Sequence, residues 1–439
     1  MSTLKAKILE LIDDCRNDID EKNLDEIQIE YTRLIDKLSP QENFSPIINL
    51  KDEKLKTTSI KKDLWTRIGI KKDPDQEANK LFRLIVIGDI HCDFNSLTGI
   101  FLKLSISEYE YFDSAYFLFI GDYIDRGLLP LQTIRFLLNL KAILGERCIY
   151  LRGNHDQIKI DNDDKLYSEV KPAETVELFN EYLRAETRKK LKSFFSSLPY
   201  IATLKRSSKN ILFVHGSIPR DDLAEDFNLN EFKKIKFSDQ EDKSNKNIKL
   251  LNSMLWGDPT PVKFKMNGSS IRFEFGSEQF EKFMIKNNYT HLIRGHEPVN
   301  FGFREMYDKK LITLFSSGSS NNEQSYYNDS VSSPAFLIID EKGDIHPESI
   351  FEYKLILKDD GSHKKEIETR KILISKKNDS IYTFSIEIEV DSSFKEFAVE
   401  KIRENIFLNQ EFYINLTADK IPYFLIQDLF LNKNKEDQK

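Results

Sequence analysis

Apolar residues recur at helical spacing near the start of the chain, at Leu4, Ile8, Leu11 and Ile12 and again at Leu24, Ile27 and Leu34. This predicts one or two amphipathic helices. From Ser39 to about Asn79 proline, lysine and aspartate mix without period, and a linker with little regular structure is expected. From Leu81 the texture changes to short apolar runs that each end in small or polar residues: LFRLIVIGD, AYFLFIGD, CIYLRGN, ILFVHG and THLIRGH. Each is too short for an independent helix and rich in β-branched or aromatic residues, so buried strands are expected. Helix-like segments, Phe94–Leu104 and Leu131–Leu144, lie between the early runs, and this alternation predicts βαβ units in a layered α/β domain. In that architecture functional groups gather where strands end at their carboxyl side. After Asp340 the segments YKLILKDD, ETRKILISKK and IYTFSIEIEVD alternate, with turn signals at Asp360-Gly361 and Asn378-Asp379. They predict half-buried antiparallel hairpins. The reading divides the chain into 1–80, a helical segment and linker; 81–340, a layered α/β domain; and 341–439, a β-rich or α+β domain.

Composition narrows the function classes. At 439 residues the chain has room for two or three domains of ~150 residues. A net charge of −7, spread along the chain, supplies no basic face, which argues against nucleic-acid binding. Cys15, Cys92 and Cys148 are distant and odd in number, so no disulfide framework is readable and a reducing interior is expected. The N-terminal MSTLKAKILELIDDC is broken by charge at almost every turn, unlike a signal peptide, and no later segment reads as a membrane span. A soluble cytoplasmic protein is expected.

The polar residues ending the runs carry the chemistry: Asp89 and His91 in GDIH, Asp122 in GDYIDRG, Asn154 and His155 in RGNHD, His215 in VHG, and His296 in RGHE. A lone Asp after Gly is ordinarily a turn residue, and a lone His ordinarily a satisfied part of the fold. Four of the seven histidines at one sheet edge are a different matter. Divalent metals accept carboxylate, amide oxygen and imidazole together. Two metals about 3.5–4 Å apart need a bridging ligand, and Asp122, in the middle of the set, suits that place. Asp89 and His91 complete one metal; Asn154, His215 and His296 complete the other. Water held between such metals loses a proton near neutral pH and becomes a nucleophile toward phosphorus. His155 is placed to protonate the leaving alkoxide, Asp125 to hold His155 as the imidazolium, and Arg126 to fork onto phosphate oxygens.

In this order, GDIH, GDYIDRG, RGNHD, HG and RGHE resemble the signature of the phosphoprotein phosphatase (PPP) family of serine/threonine phosphatases, within the calcineurin-like metallophosphoesterases. FFSSLPYIATL before ILFVHGSIP, the MLWGDP turn at Met254–Pro259, and LITLFSS near Phe315 extend the resemblance over about Leu81 to Asp340. It implies a central β-sandwich flanked by helices, a phosphorylated protein as substrate, and two divalent metals, with Mn²⁺ the first choice and Fe or Zn²⁺ acceptable. It also implies the same ligand set, His155 with Asp125 as the proton-donor pair, and Arg126 with Asn154 as phosphate contacts. Several positions depart from the family's pattern. Cys92 stands where Gly usually follows the histidine, either as a tolerated small residue or as a thiol sensitive to oxidation. Ser217 replaces a glycine. A second phosphate-binding arginine is expected where Ser269 stands; nearby Arg272 is a substitute, although a three-residue offset on a strand reverses its face. The aromatic residue expected after FSS is missing from GSSNNEQS, with Tyr326 and Tyr327 following later.

Two other readings stay open. One keeps the chemistry but changes the substrate, to a dinucleotide polyphosphate or other nucleotide, or to phosphotyrosine; SLPYIATL and WGDP weigh against the nucleotidase. The other is a scaffold without activity, opposed by the presence of all six ligands and the proton donor. The terminal regions offer a protein-partner surface or simply pack on the catalytic domain, and no calcium-loop spacing appears in the C-terminal one.

Overall fold

The computed structural model describes residues 4–16, 23–38, 47–51, 82–106, 115–220, 244–263, 272–299, 302–318 and 334–349. It adds the single positions 19, 229, 232 and 235, and the backbone of strands at 352–358, 369–378, 381–391 and 414–415. The chain begins with α1 (Leu4–Arg16), α2 (Leu24–Leu38), β1 (Ile47–Lys51), β2 (Leu84–Ile87), α3 (Phe94–Ile106), β3 (Tyr116–Phe119), α4 (Pro130–Leu144) and β4 (Cys148–Tyr150). There follow β5 (Ile158–Ile160), β6 (Leu166–Ser168), α5 (Glu174–Tyr182), α6 (Ala185–Ser197), β7 (Ile201–Arg206), β8 (Lys209–Val214), α7 (Lys246–Ser253), β9 (Asp258–Pro259) and β10 (Glu274–Phe275). Then come α8 (Ser277–Asn287), β11 (His291–Arg294), β12 (Phe303–Met306), β13 (Leu311–Leu314), β14 (Ala335–Ile339) and β15 (Ile345–Ser349). The last strands are β16 (Glu352–Lys358), β17 (Thr369–Asn378), β18 (Ile381–Asp391) and β19 (Ile414–Asn415).

Two sheets face each other. One runs β15-β14-β2-β3-β4 and the other β1-β7-β8-β11-β13-β12. β2, β3, β4, β13 and β14 are largely apolar on both sides because both sides are covered, whereas the edge strands β12 and β15 are more polar and part-exposed. In β2, Leu84 and Val86 join Leu118, Ile211, Phe213, Ile293 and Leu314 between the sheets. The alternate residues Ile85 and Ile87 face outward into a core shared with α1 to α6. On the far side Leu212, Val214 and Leu292 pack with residues of α7 and α8. The result is the helix-flanked sandwich that the alternation of strands and helices implied, with α3 and α4 within two residues of their expected bounds. Proline opens α4, where its missing N–H leaves no bond unmade.

The N-terminal helices bury Ile8, Ile12, Ile27, Tyr31 and Ile35 in the same core. Glu30 receives Arg135 at 2.9 Å and Asn139 at 2.6 Å, both from α4. Two expectations need correction. Inside the span read as an irregular linker, β1 forms and pairs in parallel with β7, from Ile47 opposite Ile201 to Lys51 opposite Lys205. Five residues are too few for periodicity to register, and sheet-edge pairing supplies the order. Beyond Ser349, β17 and β18 make the antiparallel hairpin foreseen at Asn378-Asp379, but β16 pairs in parallel with β18, not with β17. The turn expected at Asp360-Gly361 lies outside the described residues. Among the described residues no helix is long and apolar enough to cross a membrane.

Candidate metal centre

Parallel pairing of β2, β3 and β4 in one sheet and of β8, β11 and β13 in the other brings their carboxyl ends to one edge of the sandwich. There the sheets are joined by a bridge between Asp89 and Phe315, and Gly88 N–H donates to Ser316 Oγ at 2.7 Å. His91, Asp122, Asp125, Arg126 and His296 all have left-handed backbones, with φ between 48° and 72°. Such conformations are rare for non-glycine residues and cluster where the surroundings hold them for a purpose. Glycine is required between these loops. A Cβ on Gly153 would stand 2.1 Å from Asp122 Oδ1, and one on Gly295 equally close to Asp89 Oδ1.

The six expected ligands converge. Asp122 Oδ2 lies 3.4 Å from His91 Nε2 and 3.3 Å from His215 Nε2, so one carboxylate faces both halves of the cluster. Asp89 Oδ2 is 3.8 Å from His91 Nε2. Asn154 Oδ1 meets His215 Nε2 at 2.8 Å and His296 Nδ1 at 2.9 Å. The ring of His91 donates Nδ1–H to Ile124 O, and that of His215 to Ile120 O, each at 3.0 Å. Because a carbonyl only accepts, these bonds turn Nε2 of both rings toward the centre, as in ligating histidines. Ligand atoms of Asp89, His91 and Asp122, and of Asp122, His215 and His296, lie within 4.8 Å of one another, every residue being buried. His91 Nε2 is buried with no hydrogen-bond partner. Carboxylates, an amide oxygen and orphaned imidazole nitrogens sealed from water fit a pair of divalent ions.

Beside the cluster, His155 Nδ1 donates to Asp125 Oδ2 at 2.8 Å, and Arg126 Nη2 approaches His155 Nε2 at 3.3 Å. The proton donor, its carboxylate partner and the phosphate fork of the sequence reading therefore adjoin the metal ligands.

Residues 82–300 match the family model of calcineurin-like phosphoesterases. The chain carries a calcineurin-like phosphoesterase domain. A curated relative from Schizosaccharomyces pombe, provisionally named a serine/threonine-protein phosphatase, is 28% identical over 237 residues, 53% of this chain and 69% of its own. A solved structure, described as a protein serine/threonine phosphatase from Saccharomyces cerevisiae with similarity to human phosphatase PP5, superposes with a TM-score of 0.51. It is 19% identical and the match covers 75% of this chain and 90% of that one, a likeness of fold.

Electrostatics in the phosphoesterase domain suit a site built for cations. Burial, with Asp122 adjacent, pushes Asp89 up to about 7. Burial opposes ionisation of Asp122 as well, but the charges of His215 and His155 hold it well below the usual carboxylate range. His215, also disfavoured by burial, is raised to about 9 by Asp122. His91 and His296 are driven far below the ordinary imidazole value, chiefly by burial.

Several supporting residues escaped the sequence reading. Asp156, inside RGNHD, accepts the N–H of Asp122 at 2.8 Å, of Tyr123 at 3.0 Å and of Gly153 at 2.7 Å, tying the β3 and β4 loops together. Its place in the motif was a signal. Thr175, at the start of α5, receives Asp125 N–H at 2.8 Å and donates its own N–H to Asp125 Oδ1 at 3.2 Å; nothing in the sequence pointed to it. Asp93 holds Ser96, Ser317 and Gly318, fixing the loop after β13 against α3. Cys92 is buried under Asp125, with Sγ 3.4 Å from Thr175 Oγ1 and 3.6 Å from Tyr123 O. Burial raises its pKa, so it stays a neutral thiol that fills space. Arg272 is not on a strand, so the face-reversal argument does not apply; it precedes β10, with a side chain 56% exposed, and its Nε reaches Asp258 Oδ2 at 2.7 Å. Ser269, Tyr326 and Tyr327 lie outside the described residues.

Proposed function

We propose that this chain is a metal-dependent protein phosphatase of the PPP family, releasing phosphate from phosphoserine or phosphothreonine of proteins. The observation that carries the proposal is the position of Asp122, one buried carboxylate facing both His91 and His215, with the His155–Asp125 pair beside it. Asp89, His91 and Asp122 would hold one divalent ion, and Asp122, Asn154, His215 and His296 the second, with Mn²⁺ the first choice and Fe or Zn²⁺ acceptable to the same donors. When bound, such ions lower the pKa of water and polarise phosphoryl oxygens.

The chain's own residues supply the rest. Arg126 and Asn154 orient the phosphate, Arg126 through a planar fork matched to two oxygens. Arginine only donates, so its contact at 3.3 Å requires a lone pair on His155 Nε2. Once the guanidinium turns onto phosphate, that nitrogen is released and can carry the proton. Asp125, bonded at Nδ1, stabilises the imidazolium that then protonates the leaving serine or threonine oxygen. Burial of His155 and Asp125 keeps bulk water from competing, while Arg126 is half-buried. Arg272, at the rim beyond Asp258, is a further candidate for the substrate's phosphate.

The test is to strip the purified protein of metal, restore Mn²⁺, and measure phosphate release from matched phosphoserine, phosphothreonine and phosphotyrosine peptides beside diadenosine tetraphosphate. Metal-dependent release from the first two is expected. Cleavage of the dinucleotide alone, or of phosphotyrosine alone, would replace the proposed substrate class.

A further inference from the structure

The WGDP turn, part of the sequence signature, has no place in the ligand set, yet its aspartate lies against a metal-binding histidine. Asp258 opens β9, its backbone N–H donating to Phe273 O at 2.8 Å. Two arginines converge on its carboxylate, Arg294 Nη2 reaching Oδ1 at 3.0 Å and Arg272 Nε reaching Oδ2 at 2.7 Å. Arg294, the largest fully buried side chain among the described residues, is itself fixed by Gly216 O and Glu297. The carboxylate is thus anchored on both oxygens, and Oδ1 stands 3.8 Å from His296 Nε2.

That nitrogen needs a partner. His296 is more than nine-tenths buried, and its Nε2 has no hydrogen bond. The other ring nitrogen, Nδ1, points at Asn154 Oδ1, 2.9 Å away on the ligand side, while the backbone N–H is committed to Asp89. If Nδ1 supplies the lone pair, Nε2 must carry the proton, and an N–H sealed from water without an acceptor is unfavourable by about 1–3 kcal/mol. Asp258 Oδ1 is its carboxylate neighbour. Trp256 packs edge-to-face on the ring at 5.8 Å, limiting the ways it can turn.

We propose that Asp258 is a positioning residue for the metal site: it accepts Nε2–H from His296 once an ion is seated, and so fixes the tautomer and the ring plane that present Nδ1 to the ion. Closing 3.8 Å to a normal hydrogen bond takes less than about 1 Å of ring movement. Carboxylate partners of ligating histidines raise ligand basicity, and their loss weakens metal binding about 10–100-fold. Asp258 serves only the half of the centre that His296 belongs to, and this inference rests on the assignment of ligands above.

The experiment is a titration of metal-stripped protein with Mn²⁺, read by equilibrium dialysis and by the electron paramagnetic resonance signal that separates a coupled ion pair from a single ion. Asp258→Asn keeps volume and removes charge. It is expected to weaken one of two ions about 10–100-fold, leaving a single-ion signal at concentrations where the parent shows the pair. Unchanged affinity for both ions overturns the assignment, and so does equal loss of both, which marks a structural role. Should the asparagine variant fail to fold, Asp258→Glu keeps the charge for Arg294 but moves the carboxylate by one methylene. Selective weakening of one ion in it supports the proposal, and any other pattern overturns it. No substrate is involved, so a chain that binds two ions without cleaving phosphopeptides fails the serine/threonine reading and leaves this one standing.

Discussion

Each residue at the centre does one job that its neighbours cannot take over, and substitution separates those jobs. Asp122 faces two histidines from opposite halves of the site. Asp122→Asn should lose most turnover and weaken uptake of both ions, since an amide is a poor bridge; near-normal activity would refute the shared ligand. His155 lies beside the ligand set, its ring edge-to-face with His91 and its backbone N–H donating to Asp122, and in the proposed reaction it acts through its proton. His155→Asn should lower turnover of alkyl phosphates roughly 10²–10⁴-fold, the usual range for general acid catalysis, and aryl phosphates markedly less, because their leaving groups need little help. An equal loss on both ester classes would remove the proton-donor role. Gly153→Ala tests the close approach of the two loops. Its new methyl would meet Asp122 Oδ1 at 2.1 Å, so metal uptake should fall even though no ligand is changed, and an alanine variant that binds metal as the parent does would show that the loops can part.

At the scale of elements, the catalytic strands were legible because both of their faces are buried and their polar ends fall at one edge, a pattern that short windows capture. Positions that depend on pairing were not. The order of β1 comes from the edge of β7, and that of β16 from β18, neither of which leaves a mark in local periodicity. The proposed ligands were legible as motifs, whereas Thr175 and Asp258 lie against partners 50 and 38 residues away, Asp125 and His296, and only folding brings them near. The N-terminal helices were legible as amphipathic, but not their target. Tyr31 of α2 is fully buried and its hydroxyl donates to Leu131 O in the first turn of α4, directly after the loop carrying Arg126. Tyr31→Phe should destabilise by about 0.5–1.5 kcal/mol, the worth of one hydrogen bond. Tyr31→Ala should cost about 3–5 kcal/mol, as for other large buried aromatics. Denaturant unfolding of the full chain measures both, and an alanine variant as stable as its parent would mean that α2 is no part of the cooperative fold.

Across the whole molecule the buried centre stores charge in a form that an ion can displace, which links pH, metal and stability. Asp89 has its pKa raised by burial to about 7, as does Asp156, and His215 is raised by Asp122 to about 9 against the cost of burial. A group whose folded pKa exceeds its unfolded value stabilises fully below the unfolded value and loses that contribution as pH rises through the folded one. For the carboxyls that window runs from about 4 to 7, and for His215 from about 6.5 to 9. All three act in the same direction; His91 and His296, lowered by burial, oppose them chiefly below the ordinary imidazole value, and Lys103, lowered by burial to about 8, chiefly above that, so the metal-stripped protein should melt at progressively lower temperature as pH rises from about 6.5 to 8. Asp122 does not oppose this, since its lowered pKa places its own window below the ordinary carboxylate value. Ligation requires ionised Asp89 and a lone pair on His215 Nε2, so metal uptake must release protons. At pH 6 both groups are protonated and about two protons should be released; at pH 8 only His215 still carries its extra proton, and the number should fall to about one. Calorimetric titration with Mn²⁺ in buffers of different ionisation enthalpy measures that number directly. Proton release independent of pH, or melting of the stripped protein that does not follow pH, would mean that the ions do not replace the protons of Asp89 and His215.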